Sequence, residues 1–355
     1  MKQEQKLNKN FIILRKMQIV KPFAQYWENT DNQEHAIKCA QVCYASEKEI
    51  TDKNKWLENK RKAGHNSIFR HQTYYLVIPC INVTERMRLF FMYNPYIGYY
   101  EDREWCYVSI NGQTWNETPW FSFLFKYITN EKGLMNLAGE NNCTREVENI
   151  LRRTMYIVTQ ISTSRELNRV SPNNICEQST RFCNYTADKF DGQVAICQPW
   201  WFDILYDFYN DKSIDKLIIE VKGNEILINK SINTEENKSK IKPISISDWG
   251  YSVVEPNYEN FIQPYLKETF AATETYTEFI KGGMAPQNAR GILPLDTATK
   301  CVYTYRIEEW KHILNLRYYG TAGKPHPNAK LIANLIRQEL NNNIYFNFFS
   351  EHIYD

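Results

Sequence analysis

The spacing of apolar and polar residues predicts amphipathic helices spread along the chain. One helix is expected from Gln33 to Ala45, with Asp31 or Asn32 as its N-terminal cap. The pattern also predicts helices over residues 51–64, 144–158, 261–280, 308–317 and 327–340. Gly64 suits the C-terminal end of the second helix, and Pro327 suits the first turn of the last one.

Shorter apolar runs between these helices predict strands. Residues 73–78 form one such run, which Pro79 should end, and residues 107–110 form another, followed by a turn signal at Asn111-Gly112. Residues 216–229 are typical of a hairpin that turns at Gly223-Asn224. No internal repeat and no linker separates two halves, so we expect one elaborated α+β domain.

Composition excludes several classes of protein. The 355 residues are 43% hydrophobic, and 43 Lys+Arg against 41 Asp+Glu leave a net charge of +2, so no nucleic-acid partner is expected. The first sixteen residues form a polar arm with only four consecutive apolar residues, too few for a signal peptide or a membrane span. None of the nine cysteines forms a CxxC pair. We therefore expect a cytoplasmic protein, or one in the host cytoplasm if a virus encodes it, with reduced thiols, no metal and no membrane partner.

Candidate chemistry is concentrated in three segments, which are residues 64–71, 164–182 and 286–317. The second and third contribute five arginines, namely Arg165, Arg169, Arg181, Arg290 and Arg317. The guanidinium group offers a fixed fork of donors that fits phosphate oxygens or the edge of a pyrimidine. The alternative is that these arginines only pair with nearby carboxylates, which are Glu166, Glu177, Glu308 and Glu309.

The order and spacing of these segments resemble the flavin-dependent thymidylate synthases. The matching residues are, in order, Gly64-His65 with Phe69-Arg70-His71, Arg169-Val170-Ser171, Glu177-Gln178-Ser179-Thr180-Arg181-Phe182, Ala289-Arg290 with Leu293-Pro294, and Trp310-Lys311-His312 with Leu316-Arg317. The resemblance implies an α+β fold with a central, mostly antiparallel sheet and flanking helices. It implies a single domain over residues 17–345, with insertions at about 81–143 and 205–255 and a tail at 346–355.

The resemblance also implies an activity. The family converts dUMP to dTMP with a carbon unit from methylenetetrahydrofolate, and it reduces that unit with hydride from FAD that NADPH has reduced. A pyrimidine deoxynucleotide is the implied partner, and the family is similar to a homotetramer with shared active sites. Arg317 matches the catalytic arginine, whose cation would stabilise negative charge on the pyrimidine ring.

Other roles carry over residue by residue. Arg181 and Arg290 match arginines that bind the nucleotide phosphate. The implied dUMP-binding residues are Glu166, Arg169, Glu177, Gln178, Ser179, Thr180, Arg181, Arg290 and Arg317. The implied FAD-binding residues are His71, Thr73, Arg169, Val170, Ser171, Glu177 and His312.

The sequence departs from the family's pattern at five of these positions or their neighbours. The family has His and Arg at Val170 and Ser171, Glu at Arg70, Gln at Glu166, and often Asn at Arg306. These changes affect flavin-side contacts and leave the phosphate and base arginines intact. Two alternatives follow: an enzyme that modifies C5 of another pyrimidine nucleotide such as dCMP, and a non-catalytic nucleotide-binding homologue that has lost flavin.

Two cysteines are alternative nucleophiles. The cysteine-dependent thymidylate synthases use a Pro-Cys-His sequence, but Cys80 follows Pro79 and precedes Ile81, with no base beside it. Packing in the core is therefore the favoured interpretation of Cys80. Cys176 lies inside the signature, and we expect it to pack against the nucleotide pocket.

Overall fold

A computed structural model describes residues 15–46, 50–170, 174–200, 214–222, 225–232, 244–245 and 256–345. The chain divides into two compact units. The larger unit contains residues 22–183 and 298–355, and the smaller unit contains residues 1–21 and 184–297. The expectation of one domain over residues 17–345 stays a prediction.

The described helices, numbered in chain order, are α1 (Asn32–Tyr44), α2 (Lys53–Lys62), α3 (Glu85–Tyr93), α4 (Gly112–Glu117), α5 (Glu131–Glu140), α6 (Thr144–Ile150), α7 (Ile161–Leu167), α8 (Pro256–Lys281), α9 (Pro286–Ala289), α10 (Ile307–Leu314) and α11 (Pro327–Asn341). The described strands are β1 (Arg15–Val20), β2 (Phe23–Trp27), β3 (Thr73–Pro79), β4 (Ile97–Glu101), β5 (Trp105–Asn111), β6 (Ile128–Thr129), β7 (Arg152–Gln160), β8 (Ile175–Glu177), β9 (Ala195–Cys197), β10 (Ile214–Lys222), β11 (Glu225–Ile232), β12 (Ile244–Ser245) and β13 (Ala298–Arg306). The predicted α+β class with antiparallel sheets is confirmed.

The larger unit is built on two antiparallel four-stranded sheets. The first, which we call the signature sheet, has the order β2-β7-β13-β8. The second has the order β4-β5-β3-β6, and three of its four strands, β4, β5 and β6, lie within the predicted 81–143 insertion. The main core packs one face of α10 and α11 with β7 and β13, burying Trp310, Ile332 and Ile336. This packing fixes the position of β13, which is one of the two central strands of the signature sheet.

The smaller unit contains a five-stranded sheet of order β12-β11-β10-β1-β9. Its pairs are antiparallel, except that β1 and β9 run parallel. Strands β10 and β11 confirm the hairpin predicted for residues 216–229, whereas its turn at residues 223–224 lies outside the described residues. Each helix in the described part of the chain is too short or too polar to cross a membrane.

The predicted helix over residues 144–158 is wrong in its second half. Helix α6 ends at Ile150, and the chain continues as β7. Strand β7 pairs with β13 along its whole length and with β2 on the other side. It is rich in β-branched residues, which suit a buried central strand, so tertiary pairing overrides the helix-like spacing. Arg152 and Thr154 therefore lie on a central strand and not on a helix.

Side-chain capping explains the outcome of two further predictions, the cap of α1 and the turn at Asn111-Gly112. The Asp31 carboxylate accepts from the backbone nitrogens of Gln33 and Glu34, which confirms it as the cap of α1. The turn predicted at Asn111-Gly112 is wrong, because the Asn111 side chain accepts from Thr114 and starts α4. Asparagine suits both a turn and a helix cap, and the sequence pattern did not separate the two.

Candidate functional site

The signature segment runs from α7 through β8 into a tight turn. In that turn, the Ser179 carbonyl oxygen accepts from the backbone nitrogens of Phe182 at 3.3 Å and Cys183 at 2.9 Å. The Ser179 nitrogen donates to the carbonyl oxygen of Cys43, at the end of α1, at 3.0 Å. The turn is thereby fastened to α1 and leaves the Arg181 side chain exposed beside Phe182. Thr180 lies half-buried in the same turn.

Glu177 and Gln178 anchor this turn to the signature sheet. Glu177 pairs with Cys301 of β13, and its Oε1 accepts from Ser164 Oγ at 2.9 Å and Thr299 Oγ1 at 3.1 Å. The backbone nitrogen of Gln178 donates to the carbonyl oxygen of Lys300 at 2.8 Å. One oxygen of the Glu177 carboxylate is therefore engaged within the protein, and its predicted nucleotide and flavin contacts stay predictions.

Arg317 lies in a π-helical turn, Asn315–Tyr319, that follows α10. Such turns are rare and occur often at functional sites. Arg317 Nη2 donates to the carbonyl oxygen of Glu166 at 2.9 Å, and its Nη1 lies 3.9 Å from Glu166 Oε2. Its Nε is buried and has no hydrogen-bond partner within the described residues. The guanidinium therefore has a buried donor still to satisfy.

The side chain of Arg317 is the cation that neutralises the Glu166 carboxylate. Glu166 stands where the family has Gln, and its charge near a proposed phosphate site calls for a neutralising cation. Arg165 and Arg169 are close to Glu166 in sequence, but their side chains are exposed, and Arg317 is the cation beside the Glu166 carboxylate. A pairing across 151 positions of sequence separation is not visible in local spacing.

The degenerate part of the signature, residues 169–171, follows α7 directly. Arg169 is exposed, whereas the Val170 side chain is half-buried and packs against the main core. Valine at this position therefore contributes to packing. Ser171 lies outside the described residues. The flavin-binding roles assigned to these three residues stay predictions.

Two other departures from the family bond to the predicted 81–143 insertion. Arg70 Nε donates to Gln113 Oε1 at 2.6 Å, and Arg306 Nη1 donates to the carbonyl oxygen of Ile97 at 2.7 Å. Arg306 thus ties the end of β13 to β4 of the second sheet, and Arg70 bonds to helix α4. These hydrogen bonds to the predicted 81–143 insertion give a structural reason for arginine at positions 70 and 306.

Thr73 lies at the edge of a cavity of about 530 Å³. Asn32 fixes its backbone through two hydrogen bonds, each 2.8 Å long. Its hydroxyl oxygen accepts from Arg152 Nε at 3.2 Å, and Arg152 also lines the cavity. Burial lowers the pKa of Arg152 to about 10. Sequence reasoning missed Arg152 because it placed the residue on a helix.

His71 is fully buried, in contrast to His312, which is exposed on α10. His71 Nδ1 lies 2.7 Å from Thr304 Oγ1, and its Nε2 has no partner among the described residues. Burial, followed by the charges of neighbouring side chains, holds the pKa of His71 well below its usual range. His71 is therefore neutral at pH 7 and has one buried nitrogen without a partner in the part of the chain that the structure describes.

Arg290 is exposed at the start of a short 3-10 turn, Arg290–Ile292, in the smaller unit. Its predicted phosphate contact stays a prediction.

Neither alternative cysteine resembles an activated nucleophile. A hydrogen bond with Cys43, together with burial, raises the pKa of Cys176, which packs among apolar residues such as Phe69 and Val302. Burial likewise raises the pKa of Cys80. A nucleophilic cysteine requires a lowered pKa, so both thiols are protonated and structural at pH 7.

Cys80 also belongs to a small cluster with Cys106 and Glu101, whose potential ligand atoms lie within 4.8 Å of one another. The two sulfur atoms are 3.4 Å apart. Arg88 Nε, however, donates to both carboxylate oxygens of Glu101 at 3.0 Å. This guanidinium already balances the carboxylate charge, and the expectation that the protein holds no metal stays a prediction.

Comparison with known proteins places the chain in a family. The family model described as "Thy1: Thymidylate synthase complementing protein" matches residues 129–343. The match covers more than half of the 355 residues, so the chain belongs to this family, that of the flavin-dependent thymidylate synthases. It includes Arg181, Arg290 and Arg317, and it begins after His71.

Solved structures similar to this chain include a UMP/dUMP methylase, PolB, from Streptomyces cacaoi bound with 5-Br dUMP. The identity is 16% and the TM-score 0.35, over 60% of this chain and 77% of that chain. The same enzyme bound with 5-Br UMP gives the same identity and TM-score, over 60% and 79%. No curated protein matches the chain.

Proposed function

We propose that this protein methylates C5 of a pyrimidine deoxynucleotide, converting dUMP to dTMP with methylenetetrahydrofolate as carbon donor and FAD and NADPH as reductants. The proposal rests on the contacts and the burial of the Arg317 side chain. Its side chain is held by Glu166 in a π-helical turn, and its Nε is a buried donor without a partner in the described part of the chain. Family membership supports the same reading.

Arg317 would act on the pyrimidine ring. Methylation requires C5 to become nucleophilic, and negative charge then develops on the ring. A preorganised guanidinium in a partly buried site stabilises that charge without the cost of reorganising solvent. No cysteine adduct is needed, which agrees with the protonated, structural state of Cys80 and Cys176.

Arg181 would bind the phosphate. Its guanidinium is exposed on a turn whose backbone is fastened at both Ser179 and Gln178. A rigid support lowers the entropy lost when the side chain binds a dianion, and hydrogen bonds between charged groups are about twice as strong as neutral ones. Arg290 is proposed to contribute to phosphate binding as well.

FAD, when bound and reduced by NADPH, would supply the hydride that reduces the transferred carbon unit. The described residues fit such a ligand at one atom, because buried His71 Nε2 has no hydrogen-bond partner among them. His71, Thr73 and His312 would bind the cofactor, together with Arg169. A homotetramer that shares its active sites is part of the same proposal.

A second substrate has specific support. The carboxylate of Glu166 lies beside Arg317, so an acceptor and a donor stand next to each other. A carboxylate accepts well from the exocyclic amino group of cytosine. We therefore propose dCMP as the alternative substrate for the same C5 chemistry.

The visible spectrum of the purified protein tests the flavin part of the proposal. Oxidised flavin absorbs blue light, so we expect a yellow protein, or a colourless one that becomes yellow when FAD is added and the excess is removed. A protein that stays colourless after this treatment would contradict flavin dependence and would favour a nucleotide-binding homologue that has lost catalysis.

A further inference from the structure

The cavity of about 530 Å³ in the larger unit lies at the start of β7, where Arg152 lines it. Four of the other lining residues are exposed to solvent, namely Glu28, Thr30, Lys132 and Tyr345. Cavities of this volume accommodate small organic molecules. The cavity is therefore open to solvent and large enough for such a ligand.

The side chain of Arg152 has unused hydrogen-bond donors although the residue is only 6% exposed. Its Nε donates to the Thr73 hydroxyl at 3.2 Å. Its Nη2 donates to the carbonyl oxygens of Arg70 at 2.7 Å and Thr304 at 3.3 Å. Its Nη1 donates to no atom of the described residues. The guanidinium is thus held in place by two of its nitrogens while the third is free to bind a ligand.

The positive charge of Arg152 also lacks a counter-charge. Its three acceptors are neutral oxygen atoms, and no carboxylate of the described residues forms an ion pair with it. Glu131 lines the same cavity, but Nη1 and Nη2 of Arg153 each bind its carboxylate at 2.7 Å. The charge of Glu309 acts on Arg152, but Arg306 binds that carboxylate. Because a buried, unpaired charge costs free energy, an anion in the cavity would stabilise Arg152.

The other charges around the cavity leave it positive. With Glu131 neutralised by its ion pair, the exposed Lys132 balances the exposed Glu28, and the charge of Arg152 remains. Helix α5 also begins at the cavity, since its cap, Asn130, and its first residue, Glu131, both line it. The N-terminus of a helix carries partial positive charge and favours an anion. The cavity therefore suits an anionic ligand.

We propose that this cavity binds a phosphate group, to which Arg152 Nη1 donates. A guanidinium suits phosphate oxygens in geometry and charge. FAD and a free nucleotide both carry this group; the FAD source rests on the proposed function, and Thr73, an implied flavin residue, lines the cavity. None of the described residues of 161–182 lines it, and the nine residues of β7 extend about 30 Å from Arg152 towards α7. The phosphate site is thus additional to the signature segment.

Isothermal titration calorimetry at constant ionic strength tests the site, with ADP and FAD as the two ligands. The full-length protein carries Arg181→Ala in every measurement, so that the phosphate contact proposed for the signature turn does not contribute. Adenosine and riboflavin, which lack phosphate, serve as control ligands. We expect ADP or FAD to bind with an affinity that depends on Arg152, and any binding of adenosine or riboflavin to be independent of it.

Two variants alter the site in different ways. Arg152→Gln removes the charge but keeps an amide donor for the carbonyl oxygen of Arg70, and it should weaken binding about 10- to 100-fold. Thr30→Trp fills the cavity from an exposed position and leaves every contact of Arg152 intact, so it should weaken binding by a similar factor. Arg86→Gln is the matched control, because it removes the same charge from an exposed arginine on α3 outside the cavity. It should leave binding unchanged.

The two ligands identify the source of the phosphate. Weaker FAD binding in Arg152→Gln and Thr30→Trp would identify the flavin, and weaker ADP binding with unchanged FAD binding would identify a free nucleotide. If neither ligand binds, or if both bind equally well with and without these substitutions, the site is overturned. Should Arg152→Gln fail to fold, Thr30→Trp decides between these results. A protein that produces no dTMP but binds ADP through Arg152 would lose the proposed function and keep the phosphate site.

Discussion

Arg317→Ala is expected to lower kcat about 100- to 1,000-fold or more, with little change in the affinity for the nucleotide. Loss of a single preorganised donor to developing negative charge typically has this effect on kcat. The phosphate is expected to be bound elsewhere, by Arg181, so the ground-state complex should still form. Single-turnover product formation and nucleotide binding by calorimetry measure the two quantities separately.

Two further variants define the interpretation of that result. Arg317→Lys keeps a positive charge but loses the planar fork, so it should recover only part of the activity. Arg86→Ala removes an arginine exposed on α3 and should leave kcat unchanged. Near-normal turnover in Arg317→Ala would show that this guanidinium does not activate the base.

Arg181→Ala is expected to weaken nucleotide binding by about 1.5–3 kcal/mol, the usual range for a hydrogen bond to a charged group. Its effect should lie mainly in Kd or KM, because the phosphate carries the same charge in the ground state and the transition state. Titration with dUMP and with deoxyuridine distinguishes this role. The variant should lose affinity for dUMP, whereas its affinity for deoxyuridine should match that of the wild type.

The control for this experiment uses the neighbouring aromatic ring. Phe182 is 67% exposed and packs beside Arg181 in the same turn. Phe182→Ala tests whether the turn needs that ring, and Arg181→Lys tests whether a point charge is sufficient. Equal loss of affinity for dUMP and deoxyuridine in Arg181→Ala would mean that Arg181 does not bind the phosphate.

The elements that local signals define were predictable from the sequence. Helix α1 with its Asp31 cap and helix α11 with Pro327 in its first turn are both confirmed. Strand β7 was not predictable, because its apolar residues are also compatible with a helix and its pairing with β13 lies about 150 positions away. Long-range pairing decides such cases, and a single sequence does not display it.

The candidate site was likewise predictable only in part. Arg181 and Arg317 belong to the short motifs on which the resemblance rests. The sequence alone therefore identified both as candidate site residues. The contacts that define their surroundings are distant in sequence: Glu166 beside Arg317, and Thr304 beside His71.

The most direct test of the proposed activity is product analysis by mass spectrometry. The purified protein is incubated without oxygen with dUMP, methylenetetrahydrofolate, NADPH and FAD, with dCMP replacing dUMP in a parallel reaction and Arg317→Ala as the inactive control. We predict that dUMP gains one methyl group and becomes dTMP, and that Arg317→Ala gives about 100-fold less product or lower. Methylation of dCMP alone would identify the second substrate, and the absence of a methylated product from either nucleotide would contradict the proposed function.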